Sequence, residues 1–148
     1  MRRLASLAAT ATLAVAGLTA TAPTAGAALP TCNASGSVPV AKNWSLISPN
    51  IFDTHNFRCI LRYGDRYGDW EIYNSVLTLQ RTLNYCYRTH LAVDGIYGGQ
   101  TRAAVMRVQR LHKIKVDGVY GPQTRSAMFW RLYSYQLDRW SERCYSPI

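Results

Sequence analysis

The sequence predicts an all-α protein, a three-helix bundle behind an irregular, disulfide-tied N-terminal arm. Three observations predict it. Apolar residues recur at helical spacing in three stretches beyond residue 70. A ten-residue motif built on Asp-Gly occurs twice, each copy directly ahead of a helical stretch. The segment before them is rich in Pro, Ser, Asn and Gly and has no sustained periodicity.

The chain opens as an export signal. Met1-Arg2-Arg3 supplies the positive start, Leu4 to Ala22 an apolar run, and Ala25-Gly26-Ala27 the small-x-small cleavage pattern. A membrane anchor is the rival, since the run is nearly long enough to span a bilayer. Its Ala and Thr content makes it weakly apolar, and the cleavage site follows at once. Leu29-Pro30-Thr31-Cys32 resembles a lipid-attachment box only faintly. The expected division is a signal peptide over 1–27, the irregular arm over 28–69, and a helical domain with a C-terminal extension over 70–148. After cleavage no membrane attachment is expected.

Net charge is +9, and Arg2 and Arg3 leave with the signal, so the secreted part keeps a net charge of +7. Such a chain is drawn to polyanions. Outside a bacterium these are teichoic acids and peptidoglycan carboxylates, and nucleic acid is not an expected partner. Cys32, Cys59, Cys86 and Cys144 all follow the signal, and an even count in an oxidising compartment implies two disulfides. Three connectivities are open. Cys59–Cys86 with Cys32–Cys144 is preferred, because the second pair would tie the two ends together.

Leu29 to about Asn56 carries Pro30, Pro39 and Pro49 and reads as an extended arm pinned by Cys32. Ile72, Val76, Leu79 and Leu83 then share a face of a first helix over Trp70 to Tyr85, with Asp69 as its cap or first-turn acid. Thr101, Ala104, Val105, Val108 and Leu111 share a face of a second, from Gly99 to His112. A third starts at Pro122 and carries Ala127, Met128 and Trp130. Tyr133, Leu137 and Trp140 extend its apolar stripe, which predicts a long helix or a short fourth one.

The repeat runs Val93-Asp94-Gly95-Ile96-Tyr97-Gly98-Gly99-Gln100-Thr101-Arg102 and again Val116-Asp117-Gly118-Val119-Tyr120-Gly121-Pro122-Gln123-Thr124-Arg125. Asp-Gly is a turn pair: the Asp oxygen bonds nearby backbone N–H groups and Gly takes a positive φ without steric cost. Ile96 and Val119 are expected to enter the core, and Gly98 and Gly121 to allow a second change of direction. Pro122 suits a first helical position. Thr101 and Thr124 sit where a hydroxyl reaches back to the loop.

Leu79-Gln80, Leu83, the first copy of the motif through Ala104, Gln109 and the second copy through Thr124 together resemble the type 1 peptidoglycan-binding domain family. The resemblance covers roughly Val76 to Phe129. It implies a three-helix fold, peptidoglycan as partner, and a module usually attached to wall hydrolases such as amidases and carboxypeptidases. The family usually opens its first helix with Gly-Asp-x-Gly. Gly64-Asp65 and Gly68-Asp69 are the candidates here, and neither falls in that register.

No catalytic constellation stands out. His112 closes the second helix, where a cation suits the carbonyl end. His55 beside Asp53 is the one pair with metal or base character, and it has no visible third partner. Asp94 and Asp117 look like paired carboxylates, but the turns already account for both. No cofactor or metal is expected. Ligand contacts are expected from matching positions of the two copies, Tyr97, Gln100, Arg102, Tyr120, Gln123 and Arg125, since wall glycans and stem peptides suit aromatic faces, amides and guanidinium forks. For the tyrosines the competing role is a core position with only the hydroxyl showing. For the arginines it is a solvated helix face. Arg58, Arg62, Tyr63, Arg66 and Tyr67 form a second basic, aromatic surface. The expected function is a secreted or wall-associated, non-enzymatic peptidoglycan binder. The alternatives are a cryptic hydrolase, an accessory subunit of one, and a protein-binding inhibitor scaffold.

Overall fold

The computed structural model describes residues 28–52, 56–66 and 70–146. The expected signal, Asp53, His55 and Asp69 lie outside them. The elements are β1 (Ala34–Ala41), β2 (Trp44–Asn50), α1 (Trp70–Tyr87), α2 (Gly99–Leu111), α3 (Pro122–Ala127), β3 (Trp130–Ser134) and β4 (Arg139–Tyr145). The strands form one antiparallel sheet in the order β1-β2-β3-β4. The all-α expectation is thus overturned: three helices are present, but they share the fold with a sheet built from the arm and the C-terminal extension.

Each half of the sheet has a local reason. In β2, Leu46, Ser48 and Asn50 alternate inward, and Asn43 takes φ 66° at the β1–β2 turn. Pro39 lies on edge strand β1, where a missing N–H is tolerated. Pro49 sits in β2 beyond its short ladder with β3, which joins Ser45 to Tyr133 and Leu46 to Leu132. In β3, Trp130, Leu132 and Ser134 alternate inward. The steps of four and three that relate Tyr133, Leu137 and Trp140 therefore straddle a hairpin, whose turn holds Asp138 at φ 47°. Helix α3 ends at Ala127 because Met128 turns extended, with ψ 155°. The Trp130 indole then donates back to the Arg125 carbonyl at 3.0 Å.

Helix α1 crosses β1, β2 and β3. The Ser75 hydroxyl donates to the Ala34 carbonyl, and the Ser35 and Thr78 hydroxyls lie 2.7 Å apart. The shared core takes Val76, Leu79 and Leu83 from α1, Ala104, Val105 and Val108 from α2, and Leu46, Trp130 and Leu132 from the sheet. Leu111, expected on the buried stripe of α2, is 62% exposed because the helix ends there and the chain turns away.

The rest of the arm is also integral. The Ile60 and Cys32 N–H groups donate to the Pro30 and Ile60 carbonyls. Leu61 and Tyr120 exchange both backbone hydrogen bonds, and the Gly64 N–H and Asp65 carbonyl do the same with Tyr97. This lateral pairing brings Cys32 beside Cys59, and the disulfides are Cys32–Cys59 and Cys86–Cys144. The preferred pairing of Cys59 with Cys86 and Cys32 with Cys144 is not formed: Cys144 lies on β4, across from the end of α1.

The Cys86–Cys144 bridge spans 58 residues, a closure worth about 4 kcal/mol on the chain-entropy account. Replacing both cysteines with Ser should lower stability by up to that amount and raise amide exchange in β4 before the helices. Denaturant unfolding and hydrogen exchange check this; uniform exchange across the chain would contradict it.

Candidate functional site

The two Asp-Gly loops are held by the same device. In the first, the Gln80 amide N–H₂ faces Asp94 Oδ1 at 2.8 Å, the Ile96 carbonyl at 3.0 Å and Thr101 Oγ1 at 3.2 Å. Its Oε1 accepts the Gly95 N–H at 3.0 Å. In the second, Gln109 N–H₂ faces Asp117 Oδ1, the Val119 carbonyl and Thr124 Oγ1 at 2.9, 3.0 and 3.1 Å. Its Oε1 accepts the N–H groups of Asp117 and Gly118. Thr101 and Thr124 donate back to Ile96 and Val119. Gly95 and Gly118 take φ 73° and 69°, a conformation costly to any Cβ-bearing residue. Both glutamines are almost fully buried.

These bonds set the loop charges. The Gln80 amide first, and the Ile96 N–H second, hold the Asp94 carboxyl below its usual range. For Asp117, burial pushes upward, but the Val119 N–H, Gln109 and Lys115 outweigh it. The Lys115–Asp117 pair spans 3.5 Å.

The core residues of the loops are not those expected. Ile96 is 44% exposed and Val119 half-buried, whereas Tyr97 and Tyr120 are buried outright. Backbone pairing with the 60–65 segment turns the tyrosines inward. The Tyr97 hydroxyl donates to the Gly118 carbonyl at 3.0 Å, so the first loop braces the second. Burial raises the hydroxyl pKa of both tyrosines above the ordinary value.

The six expected ligand contacts do not form one surface of equal character. Gln100, Arg102 and Gln123 are exposed at the starts of α2 and α3. Arg102 lies over Gly118, where a Cβ would meet its Cγ at 2.7 Å. Arg125 is half-buried, donates to Ser48 Oγ at 3.1 Å and stacks on Phe57. Of the second basic surface, Arg58, Arg62, Tyr63 and Arg66 are exposed.

A groove of about 550 Å³ lies elsewhere, between α1 and the β3–β4 hairpin. Arg81 and Tyr85 of α1 form one wall, Arg131 and Trp140 the other. The Arg131 guanidinium sits 3.7 Å from the Tyr85 ring centroid and 5.9 Å from that of Trp140. Its Nε donates to the Ser141 carbonyl at 2.6 Å. The Tyr85 hydroxyl donates to the Glu142 carbonyl at 3.0 Å, tying β4 to the helix. The sequence signal for this wall was alternation from Trp130 to Ser134, masked by helix-like spacing further on.

A third cluster locks the helix ends. Tyr87 Oη accepts the Phe129 N–H at 2.5 Å and lies 2.8 Å from His112 Nε2. Burial lifts the Tyr87 hydroxyl to about 12, with the Phe129 N–H opposing, and burial lowers the His112 pKa.

A chain with two buried-glutamine loops that lead consecutive helices matches a described family. Residues 73–128 match the family model of the putative peptidoglycan binding domain, a span that takes in most of α1, both loops, α2 and α3. The chain carries a peptidoglycan-binding domain of that family over those residues. The sheet strands lie outside the matched span. A crystal structure of a peptidoglycan-binding protein from Clostridioides difficile, in complex with glutamine hydroxamate, is similar at 21% identity and a TM-score of 0.43. The similarity covers 61% of this chain and 53% of that one, so this chain spans about half of that protein's length. No curated protein sequence matches the chain significantly.

Gln109→Leu should destabilise strongly, at about 1–3 kcal/mol for each buried group left unsatisfied, and Gln80→Leu should do the same; urea unfolding measures both. Acid should act in two stages. His112 has a folded pKa below its ordinary 6.5, so the unfolded chain takes the proton first, and stability falls as pH drops below about 6.5. Asp94 and Asp117 contribute stability above the ordinary 3.8 that is lost as pH falls through their lower folded values. Asp94→Asn with Asp117→Asn should flatten the lower limb and leave the upper one, as read from unfolding midpoints across pH.

Proposed function

We infer that the chain is a secreted, non-catalytic module that binds the peptidoglycan of the bacterial cell wall. The observation that carries the reading is the family match over residues 73–128, with both clamped loops inside it. Two disulfides suit an oxidising, extracellular or wall location. The positive net charge suits a matrix of carboxylates and anionic wall polymers. The carboxylates of Asp94 and Asp117 are engaged in holding their loops, and all four thiols are paired, which favours binding over chemistry. Among the described residues no group of three or more His, Cys, Asp or Glu could hold a metal, and no helix is long and apolar enough to cross a membrane.

Co-sedimentation of the oxidised chain with purified sacculi, with and without teichoic acid and across a salt series, tests this. Groove recognition should persist at salt that screens surface charge, and no soluble wall fragments should appear. A folded chain that stays in the supernatant would sink the reading; release of fragments would make it an enzyme.

A further inference from the structure

We propose that the groove between α1 and the β3–β4 hairpin is a binding subsite for a carboxylate-bearing disaccharide–peptide of peptidoglycan, with a sugar ring on Trp140 and a stem-peptide carboxylate on Arg131 and Arg81. It rests on the peptidoglycan reading above but places recognition at the seam where Arg131 and Trp140 of the sheet, outside the matched span, meet Arg81 and Tyr85 of α1 inside it.

Three features carry it. The first is shape and lining: a concave volume of about 550 Å³, within the usual range for small-ligand sites, walled by Tyr85 and Trp140, which stay 42% and 39% exposed. The Tyr85 ring carries the Arg131 guanidinium, and the exposed part of Trp140 beside the cleft suits the C–H face of a pyranose.

The second is unneutralised charge. Arg131 bonds only through Nε, which leaves both Nη groups without a hydrogen-bond partner among the described residues. Arg81 is exposed and makes no hydrogen bond or ion pair with a described residue. The single ion pair among the described residues, Lys115–Asp117, lies elsewhere. A planar fork with its two outer nitrogens free matches a carboxylate in bidentate geometry.

The third is preorganisation. The Arg131 guanidinium is stacked on Tyr85, its Nε is anchored to the Ser141 carbonyl, and Tyr85 in turn holds the Glu142 carbonyl. The Cys86–Cys144 bridge closes the same seam. Little side-chain freedom remains to be lost on binding. A polymer of glycerol phosphate offers charge without a ring face, so the aromatic walls favour the saccharide.

The test is calorimetric titration of the full, oxidised chain with a soluble murein disaccharide–tripeptide, the same compound with its stem carboxylates amidated, and poly(glycerol phosphate). The acidic fragment should bind, and amidation should weaken it about tenfold to a hundredfold. Trp140→Ala and Arg131→Lys should each weaken it comparably, while Lys42→Gln, an exposed charge removed at the β1–β2 turn, should leave it unchanged. Arg81→Gln, on an exposed helix face with no described partner, should also weaken it and guards against loss through a loosened hairpin. Sacculus binding by the unsubstituted chain with unchanged fragment affinity in Arg81→Gln and Trp140→Ala would overturn the subsite and leave the family reading standing. Equal binding of the amidated fragment, or tighter binding of poly(glycerol phosphate), would overturn it as well. A chain that binds neither sacculi nor fragment removes both.

Discussion

Two glutamine side chains inside the helices hold the molecule's shape. Gln80 and Gln109 each place both ends of a buried amide on a neighbouring Asp-Gly loop and its helix start, so that four groups depend on Gln80 and five on Gln109. A buried amide with every donor and acceptor engaged rigidifies its surroundings, whereas a half-satisfied one is costly. The loops so fixed aim Tyr97 and Tyr120 inward and expose their backbones sideways to residues 60–65. Helix packing, loop shape and the docking of the N-terminal segment are therefore one cooperative arrangement.

The sheet is added to this arrangement along one seam. Strands β2 and β3 cover α1 with Leu46, Trp130 and Leu132, and β4 is fastened by a disulfide and by the Tyr85–Glu142 hydrogen bond. The seam is also where a concave surface with cationic and aromatic lining arises, from side chains that are far apart in sequence. The expected contacts near the loops divide differently: Tyr97 and Tyr120 are buried, Arg125 is engaged with Ser48 and Phe57, and Gln100, Gln123 and Arg102 are exposed.

The helices were legible because their periodicity is local: Val76, Leu79 and Leu83, and Ala104, Val105 and Val108, are buried as their spacing indicates. The positive φ of Gly95 and Gly118 was legible from the Asp-Gly pairs alone. The strands were not. In β1 and β2, Pro39 and Pro49 read as breakers, yet each falls where no ladder bond is lost to a second neighbour. In the C-terminal hairpin, a helical count through Tyr133, Leu137 and Trp140 crossed a turn whose only local mark is Asp138 in a left-handed conformation. The α1–hairpin groove was hidden for the same reason.

By itself, the sequence determined the two helix-leading loops, the helical faces behind them and the family these define, because turn chemistry and helix period act over a few residues. Only the tertiary structure decided the sheet, the pairing of Cys32 with Cys59 and Cys86 with Cys144, and the wall of Tyr85, Arg131 and Trp140. Strand pairing and disulfide partnership depend on which segments meet across long stretches of chain. That choice is made by burial of Trp130 and Leu132 against α1 and by the backbone pairing of residues 60–65, neither of which any local window contains.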